Sequence, residues 1–241
     1  MLPALYDQSK KEYEHHLETM GAGNIADLPT IMKYYRAGKE GKDWYNFVRP
    51  ALQPLFGANT DLFLKMFAAT SPNTKVTQNV LNAVKAYRQF LLGEPFTGMP
   101  AHVDNLNRAV AGVRMSGPKV GAFGPNLLGN LTPVTVDLWM ARAILGRDTV
   151  TPLQSKLVDY MTSQAAKKVG LQPAEMQAAI WTGIKKLQGS RDTSAPPEVV
   201  INEYLNRNPD IRKLFEDSME MSKEHFAGLQ SKQAPAKPPR N

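Results

Sequence analysis

Residues 114–146 read RMSGPKVGAFGPNLLGNLTPVTVDLWMARAILG, and the fold turns on how this stretch is punctuated. Ser116-Gly117-Pro118 signals a tight turn with Lys119 directly behind it, and Pro133-Val134-Thr135-Val136 is an extended approach to Asp137. Asp137 opens a helix whose apolar side is Leu138, Met140, Ala141, Ile144 and Leu145. Lys119 and Asp137 thus stand at the starts of helices. There, unpaired backbone N–H groups point outward and the helix dipole favours a carboxylate or a phosphate.

Outward from this stretch the periodicity is helical. Towards the N-terminus it predicts helices over Ala101–Arg114, Val76–Leu92 and Leu62–Ala69, the last capped by Asn59 or Thr60 and followed by the turn formers Thr70-Ser71-Pro72-Asn73-Thr74. Trp44–Phe56 is interrupted by Pro50 and Pro54 and reads as two short pieces. Leu28–Tyr35 behind Asp27 and Pro3–Met20 complete a helical lead-in, with Gly38-Lys39-Glu40-Gly41-Lys42 a loop that lacks the Walker spacing. Towards the C-terminus come Pro152–Val169, Pro173–Leu187, Glu198–Leu205 and Asp210–Phe226, with an unordered basic tail from Leu229. Apart from Pro133–Val136 there is no β-branched run at strand spacing, so the fold class is all-α. The expected organisation is a helical extension over 1–60, a core over 61–187, closing helices over 188–228 and the tail over 229–241.

Composition narrows the chemistry. The chain of 241 residues has 42% apolar residues, enough for a packed core, and no cysteine, which excludes disulfides, Cys-ligated zinc and iron–sulfur clusters. His15 and His16 are adjacent on a helix and face different directions, while His102 and His225 lie far off and read as solvated, so neither a metal nor a cofactor is expected. The N-terminus turns charged by its seventh residue without an apolar core segment, and no later run approaches a membrane span; the expectation is a cytoplasmic protein with no membrane partner. Net charge is +7, of which the last thirteen residues contribute three, a mild bias towards polyanions.

In order as well as in type, the central stretch resembles the helix-hairpin-helix DNA glycosylase superfamily. That family follows a Leu-Pro-Gly-Val-Gly hairpin with a catalytic lysine in its lyase-active members, then delivers an aspartate from a Pro-Val-Asp segment at the head of a helix. Gly117-Pro118-Lys119-Val120 stands for the hairpin end and lysine, and Val134-Thr135-Val136-Asp137 for the aspartate segment 18 residues on. Arg142 and Leu145-Gly146 match features of the family's following helix. Upstream, Phe67 to Thr74 is similar to the first core helix and the polar turn that meets DNA; downstream, Gly170 to Trp181 is similar to the helix that closes the core. The resemblance covers residues 60 to 187. Departures are Arg114 and Met115 in place of the hairpin's proline and first glycine, and Gly121, Gly124 and Pro125, which should break the helix after Lys119.

The resemblance implies a two-lobed, DNA-binding enzyme that cleaves a base–sugar bond, with Lys119 as nucleophile and Asp137 as the carboxylate. Ser71, Asn73, Thr74, Arg114, Ser116, Gly117 and Gly121 would meet the DNA. A lysine of lowered pKa can attack C1′ and hold the sugar as a Schiff base, and a carboxylate can stabilise positive charge there or help to deprotonate the amine. Three rival readings stand beside this one: a glycosylase-fold enzyme of base hypermodification, acting on modified pyrimidines in viral DNA, a non-catalytic DNA-binding or replication-associated module, and a helical interaction protein that binds no nucleic acid. Taken singly, a lysine after Gly-Pro is a solvated helix-start residue, an aspartate before an apolar helix is an N-cap, and Trp139 and Trp181 read as core.

Overall fold

The computed structural model describes residues 25–190, 196–221 and 223–233. The described residues are all-α, with no strand among them. The helices are α1 (Leu28–Ala37), α2 (Trp44–Phe56), α3 (Thr60–Ala69), α4 (Val76–Leu92), α5 (Pro100–Val110), α6 (Pro118–Leu127), α7 (Leu138–Leu145), α8 (Pro152–Val169), α9 (Pro173–Leu187), α10 (Pro197–Arg207), α11 (Pro209–Met219) and α12 (Lys223–Gln233). The chain divides into two compact units, one made of the described parts of Met1–Tyr45 and Asn130–Arg191, the other of Asn46–Gly129 and Asp192–Asn241. These divisions follow packing and fall at 45, 129 and 191, where the sequence suggests boundaries at 60, 187 and 228.

In the first unit, helix ends are written locally. Asp27 accepts the Thr30 N–H at 2.9 Å to start α1, and Thr151 with Gln154 forms a reciprocal capping box on α8, with Pro152 at its first turn. The core then gathers one apolar stripe from each helix: Ile31, Met140, Ile144, Val158, Ala165, Ile180 and Ile184 are all essentially buried, together with Val136 of the approach segment. Lys39–Asp43 forms a short 3₁₀ turn rather than a loop. Its neighbour Gly38 packs so closely on α9 that a Cβ there would lie 2.2 Å from the Gly183 nitrogen.

Aromatic packing dominates the second unit. Phe56 stacks on Phe63 with centroids 3.9 Å apart, Tyr87 meets Phe56 edge-on at 5.2 Å, and Phe215 meets Tyr87 edge-on at 5.0 Å. The Tyr87 hydroxyl is matched to the Ser218 hydroxyl at 3.1 Å, so its burial leaves no polar orphan.

Several sequence expectations are corrected. Trp44–Phe56 is one helix, because Asn46, Pro50 and Pro54 all lie on an exposed face where water can serve the carbonyls that the prolines leave unbonded. Residues 118–127 are likewise continuous: Gly124 is there for space, a Cβ falling 2.5 Å from the Met115 methyl, not to end the helix. The helix before the hairpin stops at Val110, four residues early, and Asp210–Phe226 is two helices that break after Met219. Helix α12 runs to Gln233, past the point where the tail was expected to begin. The expected helix Pro3–Met20, with His15 and His16, lies outside the described residues, as does the tail from residue 234.

Candidate active site

In the second unit the site is built around the turn that follows α3. The Thr70 hydroxyl donates to the Asn79 side-chain oxygen at 2.7 Å, and Asn79 donates to the Phe67 carbonyl at 3.0 Å, fastening the turn to α4. His102 on α5 donates from Nε2 to the Pro72 carbonyl at 2.9 Å; it is buried, which corrects its reading as a solvated histidine and fixes its Nε2–H tautomer. The turn closes on itself through the Thr74 hydroxyl, which donates to the Thr70 and Ser71 carbonyls at 3.0 and 3.1 Å, and Asn73 holds a left-handed φ of 57°.

Lys119 reaches this turn from α6. Its half-buried amine donates to the Ser71 carbonyl at 2.7 Å. The Ser71 hydroxyl is buried and has no hydrogen-bond partner among the described residues. Buried polar atoms are rarely left so, and this one stands beside the lysine contact.

The hairpin between α5 and α6, residues 111–117, is held from below by Asn105. Its side chain accepts the Ser116 N–H at 2.7 Å and donates to the Ser116 carbonyl at 3.2 Å, gripping the main chain of one residue at both ends. Gly117 follows with φ 91° and ψ 143°, a conformation open to glycine, and the chain turns directly into Pro118 at the first turn of α6. Arg114, Ser116 and Gly117 are exposed, while Gly121 is half-buried on α6 with its N–H bonded to the Gly117 carbonyl. The structure therefore brings together Ser71, Thr74 and Lys119 as one bonded group and Ser116 and Gly117 as an exposed hairpin end; Asn73 stays exposed at the turn's tip.

Asp137 belongs to the first unit, where it caps α7. One carboxylate oxygen accepts the Met140 N–H at 3.0 Å; the other accepts the Trp181 indole N–H at 2.9 Å. Trp181 is half-buried on α9, and the Lys185 ammonium lies over its ring, 4.0 Å from the centroid. Lys185 is itself buried, 6.0 Å from the Trp139 ring, whose centroid is 5.0 Å from the Arg142 guanidinium. Nearby, the Tyr45 hydroxyl donates to Gln177 at 2.8 Å. Burial raises the Tyr45 pKa well above the usual phenol range, a Thr135 hydrogen bond pulls it back, and the negative charge of Asp137 adds to the rise.

Neither tryptophan is plain core, then: both are half-buried, and Trp181 is a ligand of the aspartate. Sequence reading did not find Trp181, Asn105, Asn79 or His102 as site residues. Each acts over 9 to 44 residues of chain, a separation that leaves no local pattern. Among the described residues no group of three or more His, Asp or Glu is placed to hold a metal ion, and no helix is long and apolar enough to cross a membrane.

A family model described as a family of unknown function (DUF7178) matches residues 30–188, a span that contains the turn, the hairpin, Lys119, Asp137 and Trp181. No curated protein and no solved structure matches the chain.

Proposed function

The chain belongs to this family of unknown function, DUF7178, and from its site residues we propose that it is a DNA glycosylase-like enzyme of the helix-hairpin-helix type. It would act on a damaged or modified base flipped out of the duplex. The observation that carries the reading is Lys119: it opens the helix behind an exposed hairpin and is half-buried, with its amine held at 2.7 Å by a main-chain carbonyl. The carbonyl fixes where the amine sits, and a nucleophilic lysine needs a fixed place beside the reacting carbon. Asp137 supports it as a carboxylate held in a fixed orientation 18 residues on.

The chemistry balances simply. The neutral Lys119 amine bonds to C1′ as the glycosidic C1′–N bond breaks, and the base leaves with the electron pair and takes up a proton. The nitrogen loses a proton, the C1′–O4′ bond opens with O4′ taking up a proton, and a protonated imine results; loss of a C2′ proton with departure of the 3′-phosphate then nicks the strand. Asp137 stabilises the positive charge that builds on the sugar. The exposed Ser116-Gly117 end, at the positive end of the α6 dipole, suits a phosphate contact that is indifferent to sequence. Extrusion of the base is required before any of this, and the Ser71–Thr74 turn is the element proposed to meet the vacated position.

One observation favours a second reading. A lysine held by a carbonyl is also what a structural clamp looks like, and a non-catalytic DNA-binding module would keep Lys119 for that purpose. Borohydride trapping separates the two. Duplexes carrying oxidised, alkylated, deaminated or hypermodified bases are incubated with the protein and reductant, with Lys119→Gln as control. A covalent adduct that the variant lacks is the expected result and also names the base. Base release without an adduct would mean a glycosylase without lysine chemistry. Binding with neither adduct nor release would establish the module instead.

A further inference from the structure

We infer that Trp181, backed by Lys185, is a positioning residue that fixes the orientation of Asp137 as an electrostatic partner for a cationic sugar. The inference rests on the glycosylase reading for its substrate but on bonded geometry for its residues. Capping α7 needs one carboxylate oxygen, and Met140 N–H takes that one. The second oxygen accepts an indole N–H at 2.9 Å from a different helix, 44 residues away, which capping does not require. With a donor aimed at each oxygen, rotation of the carboxylate is opposed by two hydrogen bonds, one from its own helix and one from α9, while each oxygen keeps a lone pair directed outward. A carboxylate held so is preorganised for charge stabilisation, the role that the glycosylase reading gives it.

Lys185 completes the device. Its ammonium sits 4.0 Å from the centroid of the Trp181 ring, and the residue as a whole is only 7% exposed. A cation on the π face draws electron density from the indole, which makes its N–H a better donor to Asp137. The indole is thereby held from its face by Lys185 and from its edge by the carboxylate.

Two measurements test this, and they fail separately. In the free protein, the Trp181 indole N–H resonance in a ¹H–¹⁵N spectrum is expected to move upfield in Asp137→Asn, as its acceptor changes from a carboxylate to an amide. A resonance that stays in place overturns the positioning bond, whatever the protein does to DNA. Affinity is then compared for duplexes that carry either a neutral tetrahydrofuran abasic analogue or its protonated pyrrolidine counterpart, which mimics the cationic sugar. Wild type is expected to prefer the cation by about tenfold or more, as enzymes do for transition-state mimics. Trp181→Phe should reduce that preference to about threefold or less while leaving tetrahydrofuran affinity within about twofold, because only the carboxylate's aim is lost. Lys185→Met should fall between the two. Retention of the full preference by Trp181→Phe overturns the proposal. A wild-type protein with no preference, but with an indole resonance that responds to Asp137→Asn, overturns the glycosylase reading and leaves the bond standing.

Discussion

Asp159, in the middle of α8, shows how a single carboxyl can work against the fold. Burial raises its pKa and one long hydrogen bond from Ser163, at 3.4 Å, opposes the rise only in part. A raised folded-state value means that its contribution is fully present below the unfolded pKa and is lost as pH rises through the folded one, so at neutral pH the charged group opposes folding. Asp159→Asn is therefore expected to raise the urea midpoint at pH 7, with the gain vanishing near pH 3.5; an equal gain at both would refute it. Tyr45 has the same sign at the other end of the scale. Its raised pKa keeps the folded state stable up to the ordinary phenol value of about 10, and stability falls as the unfolded chain ionises above it. Tyr45→Phe should cost about 1–3 kcal/mol at pH 8 by stranding the Gln177 oxygen, and the deficit against wild type should shrink by pH 11. These residues also mark what could be read without coordinates. The capping roles of Asp27 and Asp137 were legible because a cap is a matter of three residues, whereas Trp181 reaching Asp137 and Asn105 gripping Ser116 depend on helices meeting in space.

Between elements, two glycines decide how α1 and α9 approach. A Cβ at Gly183 would lie 1.9 Å from the Tyr34 carbonyl oxygen and one at Gly38 would lie 2.2 Å from the Gly183 nitrogen, so backbone meets backbone without room for a methyl group. Because the obstructing atoms are main chain, Gly183→Ala is expected to reach or exceed the upper end of the usual overpacking cost of about 1–3 kcal/mol. The thermal midpoint should drop by roughly 6–12 °C, measured by calorimetry; a shift under about 2 °C would show that the helices can slide apart freely. Neither glycine announced this in the sequence, where Gly38 reads as a loop residue and Gly183 lies within the helix expected over Pro173–Leu187. The same limit explains the helices that were misjudged. Pro50, Pro54, Gly124 and Pro125 carry local signals against helix, and exposure of the proline face of α2 and the Met115 contact on α6 override them. Helix type and order were legible from apolar spacing; the endings were legible only where a cap, or a glycine such as Gly170 in the left-handed region, stood at the end.

Across the whole molecule, charge is distributed in a way that bears on the DNA reading. Residues 46–129, which contain the turn, the hairpin and Lys119, hold eight basic residues against only Asp61, Glu94 and Asp104. Each of those acids is paired, with Arg49 at 2.9 Å, Arg88 at 3.4 Å and Arg108 at 2.8 Å. The excess therefore rests on Lys65, Lys75, Lys85, Arg114 and Lys119, and two of these, Arg114 and Lys119, flank the exposed hairpin end. Not all five can face one duplex, so the number of phosphates neutralised should be about two to four. The logarithm of affinity for an undamaged duplex should then fall against the logarithm of salt with a slope of about −2 to −4. Arg114→Ala should weaken binding to every sequence alike and make the slope shallower by about one, since an exposed arginine at a hairpin end acts on the backbone and carries no base information. Fluorescence anisotropy over a salt series on two unrelated duplexes measures both quantities. A slope near zero, or an Arg114→Ala effect that differs between the two sequences, would separate the charge of residues 46–129 from nucleic-acid binding and leave Lys119 as a structural clamp on the Ser71 turn.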